Sequence, residues 1–247
     1  MNIFKKIILI TLIVLPLTAM AADIDTDGDG LSDEQEISKY HLNPYTADTD
    51  GDGFEDNVEL RNGYSPHFSA GKKITDVDQD NDGLSDGLEF AFGSDLKNPD
   101  TDGDSFSDGL EIQNAYDPSN AGAVKLEKHL EVYLSRQRLA YFLGRVKLGE
   151  FIISSGKSST PTPKGEWVIE KKQDKAWSKL AGLWMPYWMS FNGVYAIHEL
   201  PEWPDGTKEG ADHLGIPVSH GCIRLSVDFA KWLYDWTPVG TKLVVKQ

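Results

Sequence analysis

The residues best suited to chemistry lie near the C-terminus, in the run Ser219-His220-Gly221-Cys222-Ile223-Arg224. Cys222 is the only cysteine of the 247 residues, so no disulfide can form within the chain. A lone thiol beside histidine and glycine is a candidate nucleophile. A free thiol has a pKa of about 8.5 and is a weak nucleophile until it loses its proton. It therefore needs a base, and an acyl-transfer reaction also needs donors for the oxyanion. The chain holds six histidines. His198, His213 and His220 lie near enough in sequence to be considered. His213 sits in a Pro- and Gly-rich stretch, 200–218, and reads as a surface residue. Gly221 allows the backbone to approach a substrate carbonyl closely. The amides of Gly221 and Cys222 are thus the candidate oxyanion donors.

A second chemistry fills the first half. The pattern D-x-D-x-D-G-x5-E occurs three times in full, and a fourth copy has Ser105 in place of the glycine. Calcium takes six to eight oxygen ligands, and this spacing supplies them from positions 1, 3, 5, 7, 9 and 12 of a loop. The candidate ligands of the first loop are Asp25, Asp27, Asp29, the Leu31 carbonyl, Asp33 and Glu36. In the second they are Asp48, Asp50, Asp52, Phe54, Asp56 and Glu59. In the third they are Asp78, Asp80, Asp82, Leu84, Asp86 and Glu89. In the fourth they are Asp100, Asp102, Asp104, Phe106, Asp108 and Glu111. The loop starts are spaced so that the copies form two pairs. Ser105 must take the positive φ that Gly30, Gly53 and Gly83 adopt freely, so the fourth loop should bind most weakly.

The elements that position these groups follow from composition. Residues 22–122 carry 26 Asp and Glu against 5 Lys and Arg, whereas 123–247 carry 13 against 17. The change marks a domain boundary near Ala121–Lys125. The acidic half argues against nucleic-acid binding. About ten residues separate paired loops, too few for two flanking helices of normal length, and prolines at 44, 66, 99 and 118 close each unit. From Leu126 onward, short apolar runs alternate with Gly and Pro turns: 129–134, 139–143, 146–154, 165–171, 193–198 and 242–245. These predict a β-sandwich or partly open barrel, with one short helix over 228–234 behind an N-cap at Ser226. The rings of Trp177, Trp184, Tyr187, Trp188 and Phe191 read mostly as core beneath a long loop. The first 21 residues have the pattern of an export signal: Lys5 and Lys6, an apolar run from Ile7 to Leu17, and Ala19-Met20-Ala21 before the cut. No other stretch could span a bilayer, and the mature protein is expected in the periplasm.

Residues 126–247 resemble the L,D-transpeptidase catalytic domain of the YkuD family. The resemblance rests on His198 followed by Ser219-His220-Gly221-Cys222-Ile223-Arg224, with support from Gly156 to Gly165, Met185 to Phe191 and Tyr195 to His198. Twenty residues separate His198 from Ser219, slightly more than the family's usual loop. The resemblance implies Cys222 as acyl-accepting nucleophile and His198 as general base. It implies that His220 and Gly221 shape the oxyanion region and that Ser219 orients the neighbouring bonds. Arg224 has two readings, an anchor for a substrate carboxylate or a structural salt bridge. The implied reaction is acyl transfer on peptidoglycan: a tetrapeptide stem loses D-Ala, and an amine takes the acyl group. The acceptor is left open between a second stem, a wall-attached lipoprotein and water. Catalysis is expected to need no cofactor, and carbapenems are expected to acylate Cys222. The acidic half resembles thrombospondin type 3 repeats of exported bacterial proteins, with a dockerin-like module as the runner-up, and calcium is its expected ion. A rival function is a calcium-dependent binding or scaffold protein.

Overall fold

The computed structural model describes residues 24–69 and 71–247. The export-signal residues Lys5 to Ala21 lie outside the described residues. Among the described residues, no helix is long and apolar enough to cross a membrane. The chain divides into two compact units between Lys72 and Lys73.

The first unit holds loops one and two. Each loop runs into one short helical segment only. Asp33–Gln35 (α1) continues as a π-helical turn over Glu36–Tyr40, and Asp56–Asn62 (α2) follows loop two. The two loops pair through hydrogen bonds. The Asn57 amide donates to Asp29 Oδ2 at 3.1 Å, and the Asn57 side-chain nitrogen donates to the Asp29 carbonyl at 2.8 Å.

The second unit begins with loops three and four, followed by the helices Asp86–Phe92 (α3) and Asp108–Gln113 (α4). Here the Gly109 amide donates to Asp82 Oδ2 at 2.6 Å. A Cβ at Gly109 would lie 2.6 Å from the Asp82 carbonyl oxygen, so the pairing needs glycine there. The two pairs expected from the spacing are thus present. After α4 the backbone folds back on itself, with Asp117 N–H bonded to Val124 O and Leu126 N–H to Ala115 O.

Nine strands follow. They are β1 (Lys128–Tyr133), β2 (Arg138–Leu143), β3 (Val146–Ile152), β4 (Gly165–Val168), β5 (Lys171–Ser178), β6 (Leu183–Asn192), β7 (Tyr195–Glu199), β8 (Ile223–Leu225) and β9 (Lys242–Lys246). One sheet has the order β3-β2-β1-β9-β4 and the other β5-β6-β7-β8. The pairs β1–β9 and β7–β8 are parallel. The helix α5 (Val227–Trp236) packs against the same core. The fold is mainly β, with a sandwich-like arrangement of two sheets and little regular structure in the repeats.

The core comes from the alternating apolar positions of both sheets. Leu130, Val132, Leu139, Leu243 and Val245 of the first sheet meet Met189, Phe191, Ile197, Ile223 and Leu225 of the second, with Leu233 from α5. Fully burying one such side chain is worth about 1.5–3 kcal/mol, so this layer fixes strand register.

One expectation needs correction. The stretch from Trp177 to Phe191 is not a long loop but most of a two-stranded hairpin, β5 and β6. Of its rings only Phe191 is fully buried, while Trp177 stays 42% exposed. Trp177 and Trp184 are cross-strand partners and stack edge-on at 4.9 Å, which supports the hairpin from its surface rather than from the core. The three-residue β8 has too little pattern to read from sequence. Ser226 occupies the expected N-cap position of α5, through its extended backbone and without a capping bond from its hydroxyl.

Candidate active site and candidate calcium loops

Cys222 sits immediately before β8, and β8 runs parallel to β7 with Ile197 opposite Ile223 and His198 opposite Arg224. Residues opposite each other, and residues two apart on one strand, share a face of a sheet. Cys222, His198 and Arg224 therefore lie on one face, with the thiol diagonal to the imidazole. The sulfur lies between a backbone group of the β6–β7 turn and one of β7: the thiol donates to the Val194 carbonyl at 3.8 Å, and the Ala196 amide donates to the sulfur. These partners were not read from the sequence, because nothing in Val194 or Ala196 distinguishes them by type.

His198 is 2% exposed. Its Nδ1 hydrogen-bonds the Glu199 carbonyl. A carbonyl can only accept, so Nδ1 carries the proton and Nε2 is left as the base. Burial pushes the imidazole down to about 4; the Glu199 carbonyl opposes the shift, and the Arg224 charge adds to it. Burial pushes the Cys222 thiol up, with the Ala196 amide and the Arg224 charge opposing. Near neutral pH the resting pair is accordingly thiol and neutral imidazole, not thiolate and imidazolium. Such a pair acts by general-base transfer during attack.

Ser219 braces the turn. Its hydroxyl donates to the Cys222 carbonyl at 2.6 Å and accepts the Gly221 amide at 3.0 Å. This corrects one expectation: the Gly221 N–H is already spent on Ser219 and is not a free oxyanion donor. The Cys222 amide is left as the candidate donor at this turn. Gly221 instead serves conformation, with φ at +111°. A Cβ there would lie 2.4 Å from Tyr195 Cε1. The loop after β3 supports the turn from the other side. The Thr162 hydroxyl donates to the Gly221 carbonyl, the Lys157 amide to the Ser219 carbonyl, and the Ser219 amide to the Ser155 carbonyl. His220 is exposed and makes no bond within this frame. Arg224 is 8% exposed and pairs with Glu209 Oε2 at 2.7 Å, which favours the salt-bridge reading. His213 Nδ1 lies 3.0 Å from the other oxygen of Glu209.

The loops place carboxylates as their spacing requires. In each loop the Asp residues at positions 1, 3 and 5 converge, with one ligand atom from each within 4.8 Å of the others. The position-12 residues Glu36, Glu59, Glu89 and Glu111 are all buried. Burial and neighbouring Asp charges push Glu36, Glu59 and Glu111 up to about 7 and Glu89 up to about 9. Both carboxylate oxygens of Glu36 and of Glu89, and one each of Glu59, Glu111, Asp27, Asp50, Asp80 and Asp102, are buried without any partner. Buried bare carboxylate oxygens are costly unless a cation meets them, and a hard divalent cation fits this donor set.

Position 9 acts otherwise than expected. Asp33 takes the Thr26 amide and hydroxyl on its two oxygens, and Asp56 and Asp108 take those of Thr49 and Thr101. Asp86 takes the Gln79 amide and side chain. These four residues clamp the loops from behind rather than offering free oxygens. The position-7 residues Leu31, Phe54, Leu84 and Phe106 brace position 5 through their amides, at 2.7 to 3.1 Å. Ser105 has φ +81°, beside +98°, +100° and +95° at the three glycines.

Residues 127–245 match the family model for the L,D-transpeptidase catalytic domain, YkuD. That match covers just under half of the chain. The bacterial TSP3 repeat model matches residues 25–39, 48–63 and 78–95, which takes in the first three loops. YciB of Bacillus subtilis (strain 168), which carries L,D-transpeptidase in its name, is 33% identical over 130 residues, covering 48% of this chain and 66% of that protein. ErfK/SrfK of Salmonella typhimurium, similarly named, is 30% identical over 46% of this chain and 42% of its own length. The chain thus spans from about two fifths to just under two thirds of these relatives. A solved L,D-transpeptidase from Mycobacterium smegmatis aligns with a TM-score of 0.44 and 22% identity, over 52% of this chain and 65% of that one.

Proposed function

We propose that the protein is a peptidoglycan L,D-transpeptidase working outside the cytoplasm, in the periplasm, with calcium ordering its N-terminal repeats. The reading rests on the placement of Cys222: a thiol at the head of β8, held against the Ala196 amide and diagonal to a neutral, oriented His198.

The steps follow from these groups. Cys222 Sγ attacks the carbonyl of the third residue of a tetrapeptide stem while His198 Nε2 takes the thiol proton. The Cys222 amide faces the oxygen that gains charge. The bond to terminal D-Ala breaks, and its nitrogen receives the proton from His198. A thioester now joins the stem to Cys222. An amine of a second stem attacks that thioester, its nitrogen loses a proton to His198, and the sulfur leaves and regains a proton. Ser219 keeps the turn in shape throughout, and no metal is needed at this site. The 123–247 segment carries this chemistry, and 22–122 carries calcium, held by the Asp residues at positions 1, 3 and 5 and the Glu at 12.

The test is D-Ala release from a disaccharide-free tetrapeptide by the full chain in calcium. Release that stops in Cys222→Ala and in His198→Gln supports the reading; release that persists in Cys222→Ala overturns it.

A further inference from the structure

We propose that Glu209 is a positioning residue for the acyl-transfer step, fixing the Arg224 guanidinium beside the His198–Cys222 pair and, by the same bond, tying residues 200–218 to the strand that follows Cys222. The inference rests on the reading of Cys222 as nucleophile.

Three observations converge on Glu209. The first is its partner. Arg224 is opposite His198 in the β7–β8 register and two residues beyond Cys222, so its charge stands on the face that holds both reacting groups. The Glu209–Arg224 bond is 2.7 Å long, with the two side chains only 11% and 10% exposed. Arg224 Nε is buried with no partner of its own. A guanidinium so poorly solvated depends on the one carboxylate that meets it.

The second is the neighbouring residue. Lys208 pairs with Glu199 at 2.5 Å, and Glu199 is 2% exposed. Glu199 lies opposite Leu225 in the same register. Consecutive residues 208 and 209 thus clip one loop to the end of the strand that carries the base and to the middle of the strand that follows the nucleophile. A loop of this length otherwise has many conformations, and two adjacent ion pairs at its middle are well placed to select one.

The third is electrostatic. The charged and titratable groups set against this site are His198 and Tyr195 on β7, Arg224 on β8 and, through Arg224, Glu209 and His213 on loop 200–218, with His220 in the turn itself and Lys157 on the loop whose backbone supports it. Arg224 acts on both the thiol and the imidazole. Glu209 therefore sets how much of that positive charge the thiol feels, as well as where it stands.

The experiment measures two rates on the full chain in calcium: alkylation of Cys222 by iodoacetamide across pH, and acylation by a carbapenem. Alkylation reports the thiolate without requiring any transpeptidase chemistry. Glu209→Gln leaves the guanidinium charge unshared, so the alkylation midpoint moves down by about one pH unit. Carbapenem acylation falls by about tenfold because the group is no longer held in place. Glu209→Asp keeps the charge with a shorter reach, so the midpoint stays and the acylation rate falls. In Arg224→Gln the midpoint moves up, and adding Glu209→Gln to it changes neither rate further. A midpoint that does not move in Glu209→Gln, or a Glu209 effect that persists without Arg224, overturns the proposal. Should Glu209→Gln not fold, a Glu209→Asp variant with wild-type acylation overturns it equally. Wild-type protein that is alkylated but never acylated would instead refute the nucleophile reading, and the alkylation midpoints would still decide on Glu209.

Discussion

Replacing Gly221 by alanine should damage both the fold and the reaction, and the magnitude can be worked from the turn. At φ +111° an L-residue is strained by about 1–2 kcal/mol. The new Cβ would lie 2.4 Å from Tyr195 Cε1 and 2.8 Å from Cδ1, so the ring must shift. Overpacking of this kind costs about 1–3 kcal/mol. Together these give about 2–5 kcal/mol. In a unit of this size each kcal/mol lowers Tm by about 2–4 °C, so the calcium-loaded protein should melt roughly 10 °C lower. Acylation of Cys222 should fall by more than tenfold, because the bond from the Gly221 amide to Ser219 and the sulfur position depend on the same backbone. Adding Tyr195→Ala should restore the steric part of the loss but not the part owed to φ. Thermal melting and acylation kinetics on the three variants form the assay. A Gly221→Ala protein with wild-type Tm and acylation rate would refute the reasoning.

Further outcomes follow from the same geometry. Without calcium, Glu36, Glu59, Glu89 and Glu111 hold protons more tightly when folded than when unfolded. The loops should therefore be stable in EDTA near pH 4.5 and lose that stability as pH rises through about 7, up to about 9 for Glu89; calcium should restore it at neutral pH, as circular dichroism would report. Ser105→Gly should relieve a φ of +81° and tighten calcium binding at the fourth loop by about fivefold in calorimetry, worth about 1 kcal/mol. For His198 the folded pKa of about 4 lies below the unfolded 6.5, so the unfolded chain takes up a proton first as pH falls. Stability should drop between pH 6.5 and 4 by on the order of 3 kcal/mol, less so in His198→Gln, while alkylation-independent acylation keeps its base down to near pH 4.

The sequence was most informative where spacing itself carries chemistry. Four carboxylate runs in register could be read directly from the residue types and spacing that calcium demands, whereas the choice of His198 over His213 and His220 as partner of Cys222 came only from the resemblance to the YkuD family. Strands with clean alternation, such as β1 and β9, were also legible. What stayed hidden depends on partners distant in sequence. The competition of Ser219 for the Gly221 amide appears only once the turn is closed. The pairing of Arg224 with Glu209 needs loop 200–218 to return to β8. The position-9 aspartates look like ligands by spacing, and only the folded loop gives their oxygens to residue two. The β5–β6 hairpin was obscured because its aromatic residues lack alternation, and Tyr187 takes φ +52° within the strand.

The most direct test of the central claim is intact-mass spectrometry after incubation with a carbapenem. The account predicts a single covalent adduct on the wild-type chain, mapped to Cys222, and none on Cys222→Ser. An unmodified wild type, or an adduct that survives Cys222→Ser, would contradict it.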